Sequence, residues 1–357
     1  MWCNLFITWE RRIWLIRMDA ATNPNTHMLV KTVLLGGIGF FCILGNSIAL
    51  ITLCVYQSLR IPIYIIIGGL ALADIISALM NIPEEIIIHA DKGEIKAKTW
   101  CTVYGFLSNS CQYIIAFHLV VLGVFRGILL TDRAHHGPSC IHAIITSAIL
   151  WGVSLLANIP MIKASSREPV SHRCVFDAHD AAEEEKYLLL SGAFSYFLPL
   201  VLIIIIYAFT VYMSKRFFED SYSRRERRMS KMISRLIVTF ALCRLPSEMV
   251  TLLWFYKMKD KDLESVLKDR EKFQVWTHVR EYLSILALLD QALRPVIYAT
   301  MSRDFGRVYD RIINCTYCRH EEDEDPHTRR QSHVQELYQT PPTQAIEVQA
   351  GEETDYV

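Results

Sequence analysis

The chain has no surplus of charge of either sign: its 357 residues include 37 basic and 37 acidic ones. The balance by itself says little, because charge is segregated by loop; no nucleic-acid partner is expected. No internal repeat is visible, which argues against solenoids and propellers. It also argues against transporters built from inverted repeats and broken helices. Ten cysteines are present, but only Cys315 and Cys318 form a Cys-x-x-Cys pair. With no second pair this is half a zinc or redox motif, so no metal and no cofactor is expected. His118 has no serine, aspartate or metal-ligand pattern near it. No catalytic residue is therefore assigned, and an intramembrane hydrolase is disfavoured. Residues 1–18 are apolar and aromatic, yet Glu10, Arg11 and Arg12 interrupt any signal-peptide core, and Met18 offers an alternative start.

What the chain does have is apolar sequence in long blocks; 52% of its residues are hydrophobic. A soluble domain spreads such residues periodically, whereas about 20 in succession suffice to cross a bilayer. Seven blocks read as membrane helices: roughly 32–55, 61–83, 101–130, 141–162, 187–213, 231–256 and 277–300. Charge is segregated between them. Lys215, Arg216, Arg224, Arg225, Arg227, Arg228 and Lys231 lie between blocks five and six, and Arg303, Arg307 and Arg311 follow block seven. Positive loops favour the cytoplasm, so the N-terminus is expected outside and the C-terminus inside. Arg11, Arg12 and Arg17 weigh mildly the other way. Three regions follow: an extracellular segment 1–31, a membrane domain 32–314, and a polar tail 315–357 that reads as disordered. No Asn-x-Ser/Thr sequon falls on the outer side; Asn314-Cys315-Thr316 would be inside.

Within the third block, Arg126 lies 25 residues after Cys101. In one helix that is about 37 Å at ~1.5 Å per residue, against a bilayer core of about 30 Å. Cys101 and Arg126 thus mark opposite faces of the membrane. Other marks occur in order, one set per block: Gly45-Asn46; Leu70-Ala71-Leu72-Ala73-Asp74; Trp151 with Pro160; Pro199 with Tyr207; Phe240-x-x-Cys243-x-x-Pro246; and Pro295-x-x-Tyr298. An amphipathic stretch, Ser302 to Arg307, follows. In these marks the chain resembles a rhodopsin-like (class A) G-protein-coupled receptor over residues 32 to about 314, and divergent invertebrate neuropeptide receptors in particular. The resemblance implies an all-α membrane protein, a seven-transmembrane helix bundle with a short membrane-surface helix, in the plasma membrane. It implies an extracellular ligand and a heterotrimeric G protein as partners. It also implies a disulfide between Cys101 and Cys174.

Three positions depart from the family pattern. Phe125-Arg126-Gly127 replaces an acidic-Arg-Tyr triplet, Arg244 stands where tryptophan is usual, and Arg294 stands where asparagine is usual. Asn46, Asp74, Arg244, Asp290 and Arg294 form the expected polar core. In the family, the aspartate matching Asp74 helps hold a sodium ion. Here a guanidinium, that of Arg294 with or without Arg244, is expected to replace it. Alternatively, Arg294 pairs only with Asp290 and Arg244 only with Glu248, each one helical turn away. At the inner end Arg126, Tyr207, Glu226 and Tyr298 form the expected gate to the G protein. Glu226 either restrains Arg126 or is neutralised among Arg224, Arg225, Arg227 and Arg228.

For the ligand, Ser108 occupies the place of the aspartate that amine receptors use, and Leu288 that of the retinal lysine of opsins. Glu84, Glu85, Ser108, Gln112, Glu248, Trp254 and Arg280 are the expected ligand-binding residues. Paired acids suit a basic group such as a peptide arginine. The segment from Val170 to Phe176 is expected to form a hairpin, as in peptide receptors. The alternatives are a chemosensory receptor for a small molecule, or a receptor whose coupling is altered by Phe125, Gly127, Arg244 and Arg294. Cys315 and Cys318, just past the surface helix, suit reversible palmitoylation. The ending Asp355-Tyr356-Val357 fits a PDZ-domain ligand.

Overall fold

A backbone within hydrocarbon must satisfy its own polar groups, so apolar blocks of this length become helices. Among the described residues of the computed structural model, seven helices are long and apolar enough to cross a membrane: Leu29–Val55, Pro62–Glu84, Thr99–Leu129, Cys140–Ala157, Lys186–Met213, Arg227–Leu253 and His278–Met301. The structure describes residues 24–56, 59, 61–90, 97–131, 138–167, 174–176, 181–218, 224–258 and 270–313. The full helices are α1 (Pro24–Val55), α2 (Pro62–Ala90), α3 (Ala97–Thr131), α4 (Cys140–Ala157), the short α5 (Ile159–Ala164), α6 (Ala181–Gly192), α7 (Leu198–Phe218), α8 (Arg224–Met258), α9 (Arg270–Met301) and α10 (Arg303–Ile313). A π-helical segment, Ala193–Phe197, joins α6 to α7, and together they make the fifth span.

The fourth span ends earlier than the sequence suggests. Asn158 caps α4 and its side-chain amide donates to the Ser154 carbonyl at 2.8 Å. Pro160 then stands in the first turn of α5, where its missing N–H costs nothing. The π-helical segment was not expected either. The extra residue in its turn helps carry Tyr196 inward, where the phenol is fully buried and donates to the Ala241 carbonyl of α8 at 2.9 Å.

α3 is the central helix, packed against α2, α4, α7 and α8. α9 packs on α8 and α1. Outward faces stay apolar, as with Ile141, Ile144, Ile149 and Val153 along α4. Glycines permit close helix contacts, among them Gly45 and Gly69. A Cβ at Gly45 would lie 2.7 Å from Pro295 Cβ, so α1 and α9 touch there. A Cβ at Gly69 would lie 2.5 Å from Ser147 Oγ and 2.6 Å from His118 Nε2. Those atoms belong to a buried junction of α2, α3 and α4. His118 Nδ1 donates to the Ile114 carbonyl at 2.7 Å, which leaves Nε2 to accept from Ser147 at 2.9 Å. His118 is thus a packing residue. Gly69→Ala is expected to destabilise the bundle by about 1–3 kcal/mol through overpacking. Melting of the detergent-solubilised protein checks this: an unchanged midpoint would contradict it, and Ser147→Ala in the same chain should recover part of the loss.

Beyond the outer end of α4, Ser165–Arg167 (β1) and Cys174–Phe176 (β2) pair antiparallel, with Ser166 opposite Val175. The hairpin therefore begins before the expected Val170. At the inner end, α10 follows α9 after Ser302. Phe305 is fully buried against the rings of Tyr64 and Tyr298, while Arg307 is exposed, so α10 is amphipathic. Tyr64 and Ser302 hydroxyls bond at 2.9 Å.

Candidate functional site

Three polar clusters lie along the bundle. The outermost is held by the disulfide. Cys101 and Cys174 are joined, with Cα atoms 5.1 Å apart, which ties β2 to the start of the third span. Glu84, expected at a ligand, has another task. Its carboxylate is buried; it accepts from Trp100 Nε1 at 2.6 Å and from the Cys174 N–H at 3.1 Å. The acid therefore braces the disulfide from α2. The reason is local crowding: Trp100 and Cys174 bring two donors to a site that only an acceptor can satisfy.

Ser108 is also turned to a neighbouring helix. Its hydroxyl donates to Asn81 Oδ1 at 3.0 Å, and Tyr104 OH reaches the same oxygen at 3.3 Å. Asn81 in turn donates to Ser77 Oγ at 3.1 Å, and Gln291 Nε2 donates to that oxygen at 3.0 Å. A chain of polar groups thus runs from the outer third of α3 through α2 to α9. Gln112, Glu248 and Arg280 are half-buried. Close to the outer rim, Lys31 of α1 forms a buried salt bridge with Glu281 of α9 and lies 5.4 Å from the centre of the Tyr282 ring. His278 Nδ1 approaches the same Glu281 carboxylate at 3.3 Å.

The middle cluster is ionic. Arg294 is fully buried and donates through Nη1 to Asp74 Oδ1 at 2.5 Å, across from α9 to α2. Its Nη2 donates to Asp290 one turn away on α9. The guanidinium fork therefore serves both carboxylates, so the cross-helix and the within-helix pairings occur together. Asn46 Nδ2 donates to the carbonyls of Cys42 at 2.9 Å and Gln291 at 3.3 Å, tying α1 to α9 beside this cluster. Arg244 is buried, with its guanidinium 5.6 Å from the Phe240 ring centre. Pairing of the one guanidinium with both carboxylates is what makes their burial tolerable.

The inner cluster centres on Arg126, which is 5% exposed. Its Nε and Nη2 donate to Ser230 Oγ of α8 at 3.1 and 2.9 Å. Tyr298 is fully buried and Tyr207 half-buried. The side chains of Glu85, Glu226 and Trp254 lie outside the described residues, as do Cys315, Cys318, Asp355, Tyr356 and Val357.

Sequence reasoning missed Ser230, Asn81, Ser77, Gln291, Trp100 and the Lys31–Glu281 pair. For two of these a signal existed. Lys31 and Glu281 are charges at the outer edges of apolar blocks, where a buried partner is the cheapest neutraliser. Nothing in the sequence marks Asn81 or Ser230, since each gains its role only from a helix distant in the chain.

Comparison with known proteins agrees with this arrangement. A neuropeptide Y receptor type 6 from Oryctolagus cuniculus is 23% identical over 278 residues, covering 71% of this chain and 71% of that receptor. An allatostatin-A receptor from Bombyx mori is 22% identical over 307 residues, 80% of each. A 5-hydroxytryptamine receptor 1D from Oryctolagus cuniculus is 24% identical over 201 residues, 55% of this chain, and the match spans about half of that receptor's length (52%). Residues 45–298, from Gly45 in the first span to Tyr298 in the seventh, match the family described as 7 transmembrane receptor (rhodopsin family). The chain belongs to the rhodopsin family of seven-transmembrane receptors.

Proposed function

We propose that this protein is a plasma-membrane receptor for a peptide, which it reports to a heterotrimeric G protein. The N-terminus is extracellular and the tail cytoplasmic, the orientation that the basic loop between spans five and six and the basic residues after span seven favour. The observation that carries the peptide reading is the outer hairpin, β1 with β2, fastened to the third span by Cys101–Cys174 and to α2 by Glu84. A fixed hairpin offers a rigid rim for an extended ligand, which lowers the ordering cost of binding. Ser108 and Leu288 supply neither the carboxylate an amine would need nor the lysine a retinal would need. Glu85, Gln112, Glu248, Trp254 and Arg280 remain the residues proposed to meet the ligand, with the acids facing a basic peptide group.

In the polar core Arg294 takes the place of a dissociable cation, so ligand affinity follows ionic strength and not sodium as such. At the inner end Arg126 is the gate, released when α8 moves away from α3. Tyr207 and Tyr298 then meet it, and Glu226 adds to its restraint. Cys315 and Cys318 anchor the tail by palmitoylation.

The test is activation in cells that express the receptor with a promiscuous Gα subunit. Amidated peptides carrying a basic residue should raise the second messenger, and Arg126→Ala should abolish the response at unchanged surface level. Activation by a biogenic amine or another small molecule, with no response to any peptide in a broad library, would overturn the peptide reading in favour of a chemosensory receptor.

A further inference from the structure

The exposed basic residues of α8 form one row. Arg227, Lys231 and Arg235 are exposed and recur every fourth residue. At ~100° per residue they fall within about 80° of one another around the helix axis. The same sector continues outward as an apolar face: Val238, Leu242, Leu245 and Met249 are 40–65% exposed and lie in it. Leu236 and Phe240, both fully buried, take the opposite side. The basic row therefore faces lipid, whereas Ser230 is turned to Arg126 of α3.

Depth in the membrane follows from the same helix. Leu253, at the outer end of the span, is 18 residues from Arg235, about 27 Å at ~1.5 Å per residue. A hydrocarbon core is about 30 Å thick. Arg235 thus stands at the inner edge of the hydrocarbon, with Lys231 about 6 Å and Arg227 about 12 Å further along the helix toward the water. No aspartate or glutamate occurs between Arg227 and Ser247. Among the described residues, no carboxylate pairs with Lys231 or Arg235. Positive charge is therefore concentrated at the membrane boundary, directly below a lipid-facing apolar surface.

We propose that this row is a binding site for the headgroup of an inner-leaflet lipid that carries phosphomonoesters, a polyphosphoinositide. The proposal rests on the reading that this end of the bundle faces the cytoplasm. The position of the row selects a lipid over a soluble partner. An acidic protein would have to enter the headgroup layer to reach Arg235, whereas a lipid already lays its acyl chains along Val238 and Leu242. The G protein proposed above approaches beside Arg126, on another side of α8. The length of the row selects the headgroup. A single phosphodiester meets only the Arg235 end. An inositol ring with further phosphates stands deeper in the water and reaches Lys231 and Arg227 as well. Each guanidinium takes a phosphate through two parallel hydrogen bonds, and the lysine adds a point charge. Attraction to an anionic lipid surface amounts to about fivefold in affinity per basic side chain.

The test uses the full-length receptor in phosphatidylcholine nanodiscs doped with increasing amounts of phosphatidylinositol bisphosphate. Native mass spectrometry of the receptor released from the discs counts the phosphoinositide it retains and yields an apparent affinity. Lys231→Gln combined with Arg235→Gln should lower that affinity by about twenty-five-fold, at about fivefold per side chain. Lys186→Gln, which removes one exposed charge at the outer end, should leave it unchanged. Phosphatidylserine in place of the phosphoinositide should be retained far less. Soluble inositol trisphosphate, added to undoped discs, should bind weakly, because it lacks the acyl chains. Equal retention by the wild type and the double variant would overturn the proposal, as would an equal loss in Lys186→Gln. Phosphatidylserine held as well would reduce the row to general charge attraction and refute the phosphomonoester site. Inositol trisphosphate bound as tightly as the lipid would replace the lipid site by one for a free polyphosphate. Both leaflets of a disc carry the probe, and the readout needs neither peptide nor G protein. Its failure is therefore separate from failure of the receptor reading.

Discussion

Arg294→Ala is expected to cost the folded bundle about 3–5 kcal/mol, the usual penalty for removing one partner of a buried ion pair. The residue is fully buried and its fork is shared by Asp74 on α2 and Asp290 on α9. Truncation strands two carboxylates at bilayer depth, with Arg244 as the remaining counter-charge nearby. The receptor should reach the surface poorly and melt well below the wild type in detergent. Asp74→Asn, Asp290→Asn and Arg294→Gln combined should be much milder, because neutral amides replace all three charges and can still hydrogen-bond. The comparison is made by surface labelling and by thermal melting of the purified protein. Equal damage from the single and the triple replacement would show that shape, and not stranded charge, sets the cost.

Loss of the disulfide should be the next largest effect. Cys101 and Cys174 close a loop with a sequence separation of 73. Chain-entropy reasoning assigns such a loop about 4 kcal/mol. Here that value is an upper bound, because membrane-inserted helices limit the freedom of the opened chain. Cys101→Ala should lower surface display and, more sharply, peptide binding, since β2 loses its tie to α3. Adding Cys174→Ala should cost nothing further. Glu84→Ala should reproduce part of the defect with the disulfide intact, because Trp100 Nε1 and the Cys174 N–H both lose their acceptor. Unaltered display and binding in Cys101→Ala would refute the role of the tie. A silent Glu84→Ala would refute the brace.

The contrast between Glu84 and Arg126 shows where reading the sequence succeeds and where it stops. Arg126 is legible because its position follows from helix rise alone: 25 residues from Cys101 put it at the far end of one span. The acid at 84 is equally visible as a charge at a helix end. Its direction is not, since that depends on how Trp100 and Cys174 arrive from other parts of the chain. Lys31 and Glu281 are similarly separated, by 250 residues, and no local pattern pairs them. Ser230 is harder still: nothing distinguishes it from other small polar residues until α8 is laid against α3.

The sequence by itself determined the number and order of the spans, the amphipathic helix after the seventh, and the opposed positions of Cys101 and Arg126. These depend on block length, period and spacing, which are properties of the chain taken one segment at a time; the family resemblance rests instead on the residue motifs, one set per span. The tertiary structure alone decided that Arg294 serves Asp74 and Asp290 together, that Glu84 braces the hairpin, that the hairpin starts at Ser165, and that Ser230 meets Arg126. Each of these is a choice among several polar partners on different helices. Such a choice is made by helix rotation and close packing, as where Gly69 lets α2 approach His118 and Ser147, and within an apolar core a buried charge or donor must accept whichever partner that packing brings within reach.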